Sequence, residues 1–109
     1  MTYQYHAIVV KVIDGDTVDL VVDLGFHVSI AIRTRLIGID APEVSTPAGK
    51  LVRDTLRGML PIGTAVTVQT EKHPGDKYGR WLARIGTPFG DLAEWLVAGG
   101  MAAVYEVKS

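Results

Sequence analysis

The sequence predicts a mainly β domain with attached helices, an α+β barrel of five strands and about two helices. Three observations point there. Segments rich in β-branched residues recur at short intervals, two stretches carry helical spacing with capping signals at their starts, and glycine or proline separates nearly every pair of elements. At 109 residues, the chain is read as a single domain over 1–109.

Residues 6–13, His-Ala-Ile-Val-Val-Lys-Val-Ile, form the first predicted strand. Asp14-Gly15 gives a turn or bulge signal, and Thr17 to Asp23 resumes as the second strand. Leu24-Gly25 marks a tight reversal. A long third strand is expected over 26–39, with Val28, Ile30, Ile32, Thr34 and Leu36 on one face and Arg33, Arg35 and Ile37 on the other. Thr46-Pro47 starts a helix, threonine as N-cap and proline at the first helical position. Leu51, Val52, Thr55, Leu56, Met59 and Leu60 follow at helical spacing, with Lys50, Arg53, Asp54 and Arg57 opposite, and Pro61-Ile62-Gly63 ends it. Thr64 to Thr70 is the fourth strand and Leu82 to Ile85 the fifth. Asp91-Leu92-Ala93-Glu94 has the shape of a capping box and opens a second helix, stopped by Gly99-Gly100. Ala102 to Val107 adds a final extended piece. The order βββαββα suggests a small closed barrel.

Composition bounds the function. The chain is 48% hydrophobic and 21% charged, as expected of a globular protein with a core. No apolar run approaches the roughly 18 residues of a membrane span, so no membrane partner is expected. The N-terminus shows no basic region followed by an apolar one, so no secretory signal is read, and a cytoplasmic location is the expectation unless a signal has been removed. With no cysteine, disulfides, thiolate metal sites and cysteine nucleophiles are excluded. The net charge of −1 argues against broad, phosphate-driven binding but not against a small cationic pocket.

Three charged motifs stand out. Arg35-Leu-Ile-Gly-Ile-Asp40-Ala-Pro-Glu43 ends a hydrophobic strand in a cluster of opposite charges. Asp14-Gly15-Asp16-Thr17 lies upstream, and Asp76-Lys77-Tyr78-Gly79-Arg80 downstream. Carboxylates suit a hard cation, and planar, permanently charged arginines suit a phosphate. Together they make a candidate phosphodiesterase site. Each motif also has an ordinary reading: a turn at Asp14-Gly15, a strand residue paired with Asp40 at Arg35, and a solvated turn at Lys77 to Arg80. His6, His27 and His73 show no metal-ligand spacing. Trp81 can stack on a base or pack against the barrel, and burial is the expectation; Trp95 is expected in the core. Arg53 and Arg57 are read as a solvated helix face.

The three motifs, in this order and spacing, resemble staphylococcal nuclease-like (thermonuclease) domains, and the resemblance continues through Leu82-Ala83, Asp91-Leu92-Ala93-Glu94, Leu96-Val97 and Gly100. It implies an OB-fold, a calcium-dependent nuclease (endonuclease) acting on DNA and RNA with little base specificity, and 3′-phosphate products. By that resemblance Asp16, Asp40 and the backbone carbonyl of Ala41 hold Ca2+. Glu43 is the general base, Arg35 and Arg80 contact the scissile phosphate, and Lys77 and Tyr78 hold a terminal phosphate. Tyr105 is the candidate for a base-stacking tyrosine. Compared with longer members, the segment after Glu43 is expected to be brief and a further C-terminal helix to be lacking. Weaker binding and short or single-stranded DNA or RNA partners are therefore expected, and the chain is read as a monomer. The alternative is a non-catalytic OB-fold module that binds nucleic acid or protein. Retention of Asp16, Arg35, Asp40, Glu43 and Arg80 together favours the enzyme.

Overall fold

The computed structural model describes residues 3–71 and 80–104. The first strand, β1, runs Tyr3–Asp14 and pairs antiparallel with β2, Thr17–Asp23; β2 pairs antiparallel with β3, Ser29–Leu36. After a short β4, Ile39–Asp40, comes helix α1, Pro47–Met59. Strand β5, Ala65–Glu71, returns along the other side of β1, and β6, Trp81–Thr87, pairs with β5. A parallel pairing of β6 with β3, Thr34 opposite Trp81 through Leu36 opposite Ala83, closes the sheet. Five strands thus form a closed barrel with two helices, an OB-like α+β fold, and closure leaves the barrel without a free sheet edge between β3 and β6.

The alternating apolar positions explain why this sheet closes. Val9, Val12, Val18, Leu20, Leu36, Val68 and Ile85 point inward and are almost fully buried. Thr34 is also buried there, and its hydroxyl donates 2.7 Å to the Val18 carbonyl, so the polar group is satisfied within the wall. Helix α1 starts as expected: the Thr46 hydroxyl accepts the Gly49 N–H at 3.0 Å, and Pro47 follows the cap. It caps one end of the barrel with Val52 and Leu56, and Leu60 after it is buried too. Arg57 is exposed, as expected, and its Nε also donates 3.0 Å to the Val12 carbonyl, which ties the helix to β1. Leu51, expected on the apolar side, is 68% exposed.

The second helix, α2, runs Leu92–Ala98 after a two-residue strand β7, Gly90–Asp91. Asp91 Oδ2 accepts the Glu94 N–H at 3.0 Å, as the capping motif predicts. Leu92 and Leu96 pack on the core, with Trp95 half-buried beside them. The final strand, β8, Ala103–Val104, pairs with β4.

One element departs from expectation. The third strand does not run over 26–39. It begins at Ser29, because Gly25 to Val28 form the hairpin turn, and it stops at Leu36, because Ile37-Gly38 turn the chain toward β8. Val28 and Ile30, expected on the apolar face, lie beyond the closed part of the barrel and are largely exposed.

Candidate active site

At one end of the barrel, the β1–β2 turn, the end of β3, the loop after β4 and the start of β6 surround a cleft of about 410 Å³. Asp14, Asp16, Arg35, Asp40, Glu43 and Arg80 all line it, with Ala41, Pro42, Val44 and Ser45 completing the wall. Residues scattered over 67 positions of sequence thus meet because Thr17 pairs with Arg35 and Arg35 with Leu82.

Arg35 organises the cleft. Its Nη2 lies 3.7 Å from Asp16 Oδ2 and 3.6 Å from Asp40 Oδ1, so two carboxylates converge on one guanidinium. Its Nη1 donates to the carbonyls of Leu36 and Ile39, at 3.2 and 3.4 Å, which fixes the plane of the group. Asp40 itself is positioned by the pairing of β4 with β8, where Asp40 stands opposite Ala103.

Asp16 is only 8% exposed. Its Oδ2 accepts the Ala41 N–H at 3.3 Å, and its Oδ1 accepts the Thr17 hydroxyl at 3.2 Å. The same hydroxyl oxygen accepts from Arg80 Nη1 at 3.4 Å, which aims the second arginine at this end of the barrel. Close approach of the Asp14–Asp16 turn to the Ala41 loop needs a glycine: a Cβ on Gly15 would stand 2.7 Å from Ala41 Cβ and 2.8 Å from Val52 Cγ1.

Glu43 is held through its backbone. Its carbonyl accepts both the N–H of Thr46, at 2.9 Å, and the Thr46 hydroxyl, at 2.6 Å, while its side chain is exposed at the cleft. Gly15, Thr17, Thr46 and Gly49 therefore position the site without having been singled out for that role from the sequence. Gly49 carried a signal, as a glycine in the first turn of a helix, where alanine is favoured by about 1 kcal/mol.

The charges in the cleft do not balance. Four carboxylates, Asp14, Asp16, Asp40 and Glu43, face two guanidiniums. Burial, reinforced by a side-chain hydrogen bond and charge repulsion with Asp16, pushes the Asp14 carboxyl up to about 6. The surplus of carboxylates would suit a hard cation, for which Asp16, Asp40 and the Ala41 carbonyl are candidate oxygen donors. Among the described residues no cluster of three or more His, Asp or Glu side chains is arranged to hold an ion by itself. The donor set fits a cation that shares its shell with water and substrate.

Lys77, Tyr78 and Tyr105 lie outside the described residues. Trp81 is corrected: it is 45% exposed rather than packed inside the barrel. No helix among the described residues is long and apolar enough to cross a membrane.

A barrel closed by a parallel β3–β6 pairing, with paired arginines and aspartates at one end, is the arrangement of a nuclease-type OB domain. The chain belongs to the staphylococcal nuclease homologue family, whose model matches residues 33–109. It is 35% identical over 102 residues to a protein of Escherichia coli O157:H7 described as an uncharacterized endonuclease, covering 93% of this chain and 61% of that one. Endonuclease YhcR of Bacillus subtilis (strain 168) is 32% identical over 114 residues, 94% of this chain but 9% of its own length. A micrococcal nuclease of Shigella flexneri is 35% identical over 80 residues, 73% of this chain and 41% of its own. The chain spans about three fifths of the length of the first of these relatives and less of the others. Asp14 and Asp16 lie before the matched family segment, and the structure places both in the same cleft as the residues within it.

Proposed function

We propose that this chain is a calcium-dependent nuclease that hydrolyses phosphodiester bonds of DNA or RNA with little base specificity, leaving 3′-phosphates. The observation that carries the reading is the convergence of Asp16 and Asp40 on Arg35 in a cleft that Glu43 and Arg80 also line. The relatives named as endonucleases and as a micrococcal nuclease support it. All of these groups come from one chain, so a monomer suffices.

Calcium held by Asp16, Asp40 and the Ala41 carbonyl would lower the charge of the bound phosphate and so ease attack on it. Arg35 and Arg80 donate paired hydrogen bonds to the non-bridging oxygens, and their hold strengthens as charge builds on the five-coordinate phosphorus. Glu43 takes a proton from the attacking water. The water oxygen bonds to phosphorus, the bond from phosphorus to the 5′ oxygen breaks, that oxygen leaves as a hydroxyl after taking a proton from solvent water, and Glu43 returns its proton to solvent. One water is consumed, and a 3′-phosphate and a 5′-hydroxyl result. Because Asp16 and Asp40 hold the Arg35 guanidinium between them, its orientation is set before substrate arrives.

The test is incubation with single-stranded DNA in calcium and in chelator. Cleavage is expected only with calcium, and Glu43→Gln or Arg35→Ala should slow it on the order of 10²–10³-fold. A wild type inactive in calcium, or both variants cleaving at its rate, would sink the reading.

A further inference from the structure

The outer face of the barrel beside the cleft carries a row of charges that the cleft itself does not use. Strand register sets Lys11 of β1 opposite Asp19 of β2, and Asp19 opposite Arg33 of β3. Arg33 and Arg35 are alternate residues of β3, and Asp19 and Thr17 alternate residues of β2. The row therefore lies on the same face as the Thr17–Arg35 pair and next to it. We propose that the row is a second phosphate subsite, in which Arg33 and Lys11 hold a phosphate of the substrate strand flanking the one in the cleft. The proposal rests on the cleft being a nuclease site and extends that site along the strand.

Arg33 is held for that role much as Arg35 is. Its Nε donates 2.7 Å to Asp19 Oδ1 and its Nη2 3.0 Å to Oδ2, which fixes the guanidinium plane. Those bonds take two of the five N–H groups of an arginine, and the other three have no partner among the described residues. The side chain stays 52% exposed on a shallow groove of about 280 Å³, with Val10, Asp19 and Ala31 also on its wall. Lys11 is exposed too, and it forms no ion pair among the described residues. Two cations against one carboxylate leave the row positive. An ion pair so exposed adds little to stability, so the needs of the fold do not account for it.

Arg80 joins the row to the cleft. It lines the cleft, and its Nη1 donates 3.4 Å to the Thr17 hydroxyl oxygen. Thr17 and Asp19 stand about 7 Å apart at the rise of a strand, about the length of one nucleotide in an extended single strand. A phosphate at Arg80 therefore has its neighbour at Arg33. The net charge of −1 conceals this track, because the cations are gathered on one face. Such a subsite needs a phosphate beyond the scissile one, so it favours bonds inside a strand over the lone bond of a dinucleotide.

The test measures binding of oligodeoxythymidine, about ten nucleotides long, in calcium at several salt concentrations. A Glu43→Gln background keeps the strand intact. Lys11→Gln combined with Arg33→Gln should weaken binding about tenfold at about 0.1 M salt. It should also lower the slope of log affinity against log salt by about 1.4, at about 0.7 per phosphate contact on a single strand. Arg33→Lys, which keeps the charge, should keep the slope, and so should Lys50→Gln, which removes an exposed cation on α1 outside the row. An unchanged slope in the double variant overturns the proposal, as does a fall in Lys50→Gln equal to that in Lys11→Gln alone. Cleavage of the same strand by the wild-type chain is scored separately. Binding that depends on Lys11 and Arg33 without any cleavage sinks the nuclease reading and leaves the subsite, whereas normal cleavage with an unchanged slope does the reverse.

Discussion

The backbone carbonyl of Glu43 lies where a Cβ on Gly49 would be. The same carbonyl takes two hydrogen bonds from Thr46, whose hydroxyl in turn caps the helix at Gly49. The first turn of α1 therefore serves as the seat of the proposed general base. Substituting the absent side chain tests the seat without touching the carboxylate.

Gly49→Ala should gain about 1 kcal/mol of helix propensity and lose about 1–3 kcal/mol to the clash with backbone. A net fall of a few degrees in Tm is expected, with cleavage slowed by tenfold or more, since an ångström of misplacement costs on the order of 10²-fold. Gly58 is the control on the same helix, because nothing lies within 4 Å of a Cβ placed there. Gly58→Ala should raise stability by about 0.5–1 kcal/mol and leave cleavage alone. A Gly49→Ala protein with wild-type melting and rate would show that Glu43 is not held this way.

How much of this was legible in the sequence divides by range. Local signals succeed where the deciding contacts are local: β-branched runs give β1 and β2, Thr46-Pro47 gives the start of α1, and Asp91 gives that of α2. The alternation through Val28 and Ile30 extends the third strand too far, because periodicity does not reveal where a barrel closes. Nor does it reveal that Ile39–Asp40 leaves β3 to pair with Ala103–Val104, more than sixty residues away. The residue types of the candidate site are legible as charges in motifs. Their meeting at Arg35 depends on two strand registers, and the glycines at 15 and 49 matter only through what packs against them. Trp81 was misplaced for a related reason: an aromatic beside a strand reads as core unless the strand's facing is known.

The carboxyl of Asp14 makes metal-free stability depend on pH. Its folded value of about 6 lies above the ordinary aspartate value of 3.8, so between those values the folded protein keeps a proton that the unfolded chain releases. The stabilisation from this group is full below pH 4 and is lost as pH rises through 6. Because the group is half-buried, solvent screening brings the effect to about 1 kcal/mol. Asp14→Asn keeps an oxygen to accept the Asp16 N–H, a bond of 3.0 Å in the native turn. In chelator, the variant should melt a few degrees above wild type at pH 7 and show a smaller advantage at pH 4. An advantage that is equal at both values would mean that Asp14 does not carry the dependence.

The tip of the β2–β3 hairpin gives a stability prediction independent of catalysis. The Val28 N–H donates 2.9 Å to the Gly25 carbonyl, and Phe26 and His27 between them have φ of 55° and 62°. Positive values at both central positions define a type I′ turn, which favours Asn-Gly and costs other residues about 1 kcal/mol each. Phe26 is 98% exposed, so its ring offers no packing to offset that cost. The double substitution Phe26→Asn with His27→Gly should therefore raise Tm by several degrees, about 1–2 kcal/mol. The tip lies beyond the Asp23–Ser29 pair, six rungs and about 20 Å from Arg35, so cleavage should be unchanged. An unchanged or lower Tm would mean that Phe26 makes a stabilising contact, and the strain argument would fall with it.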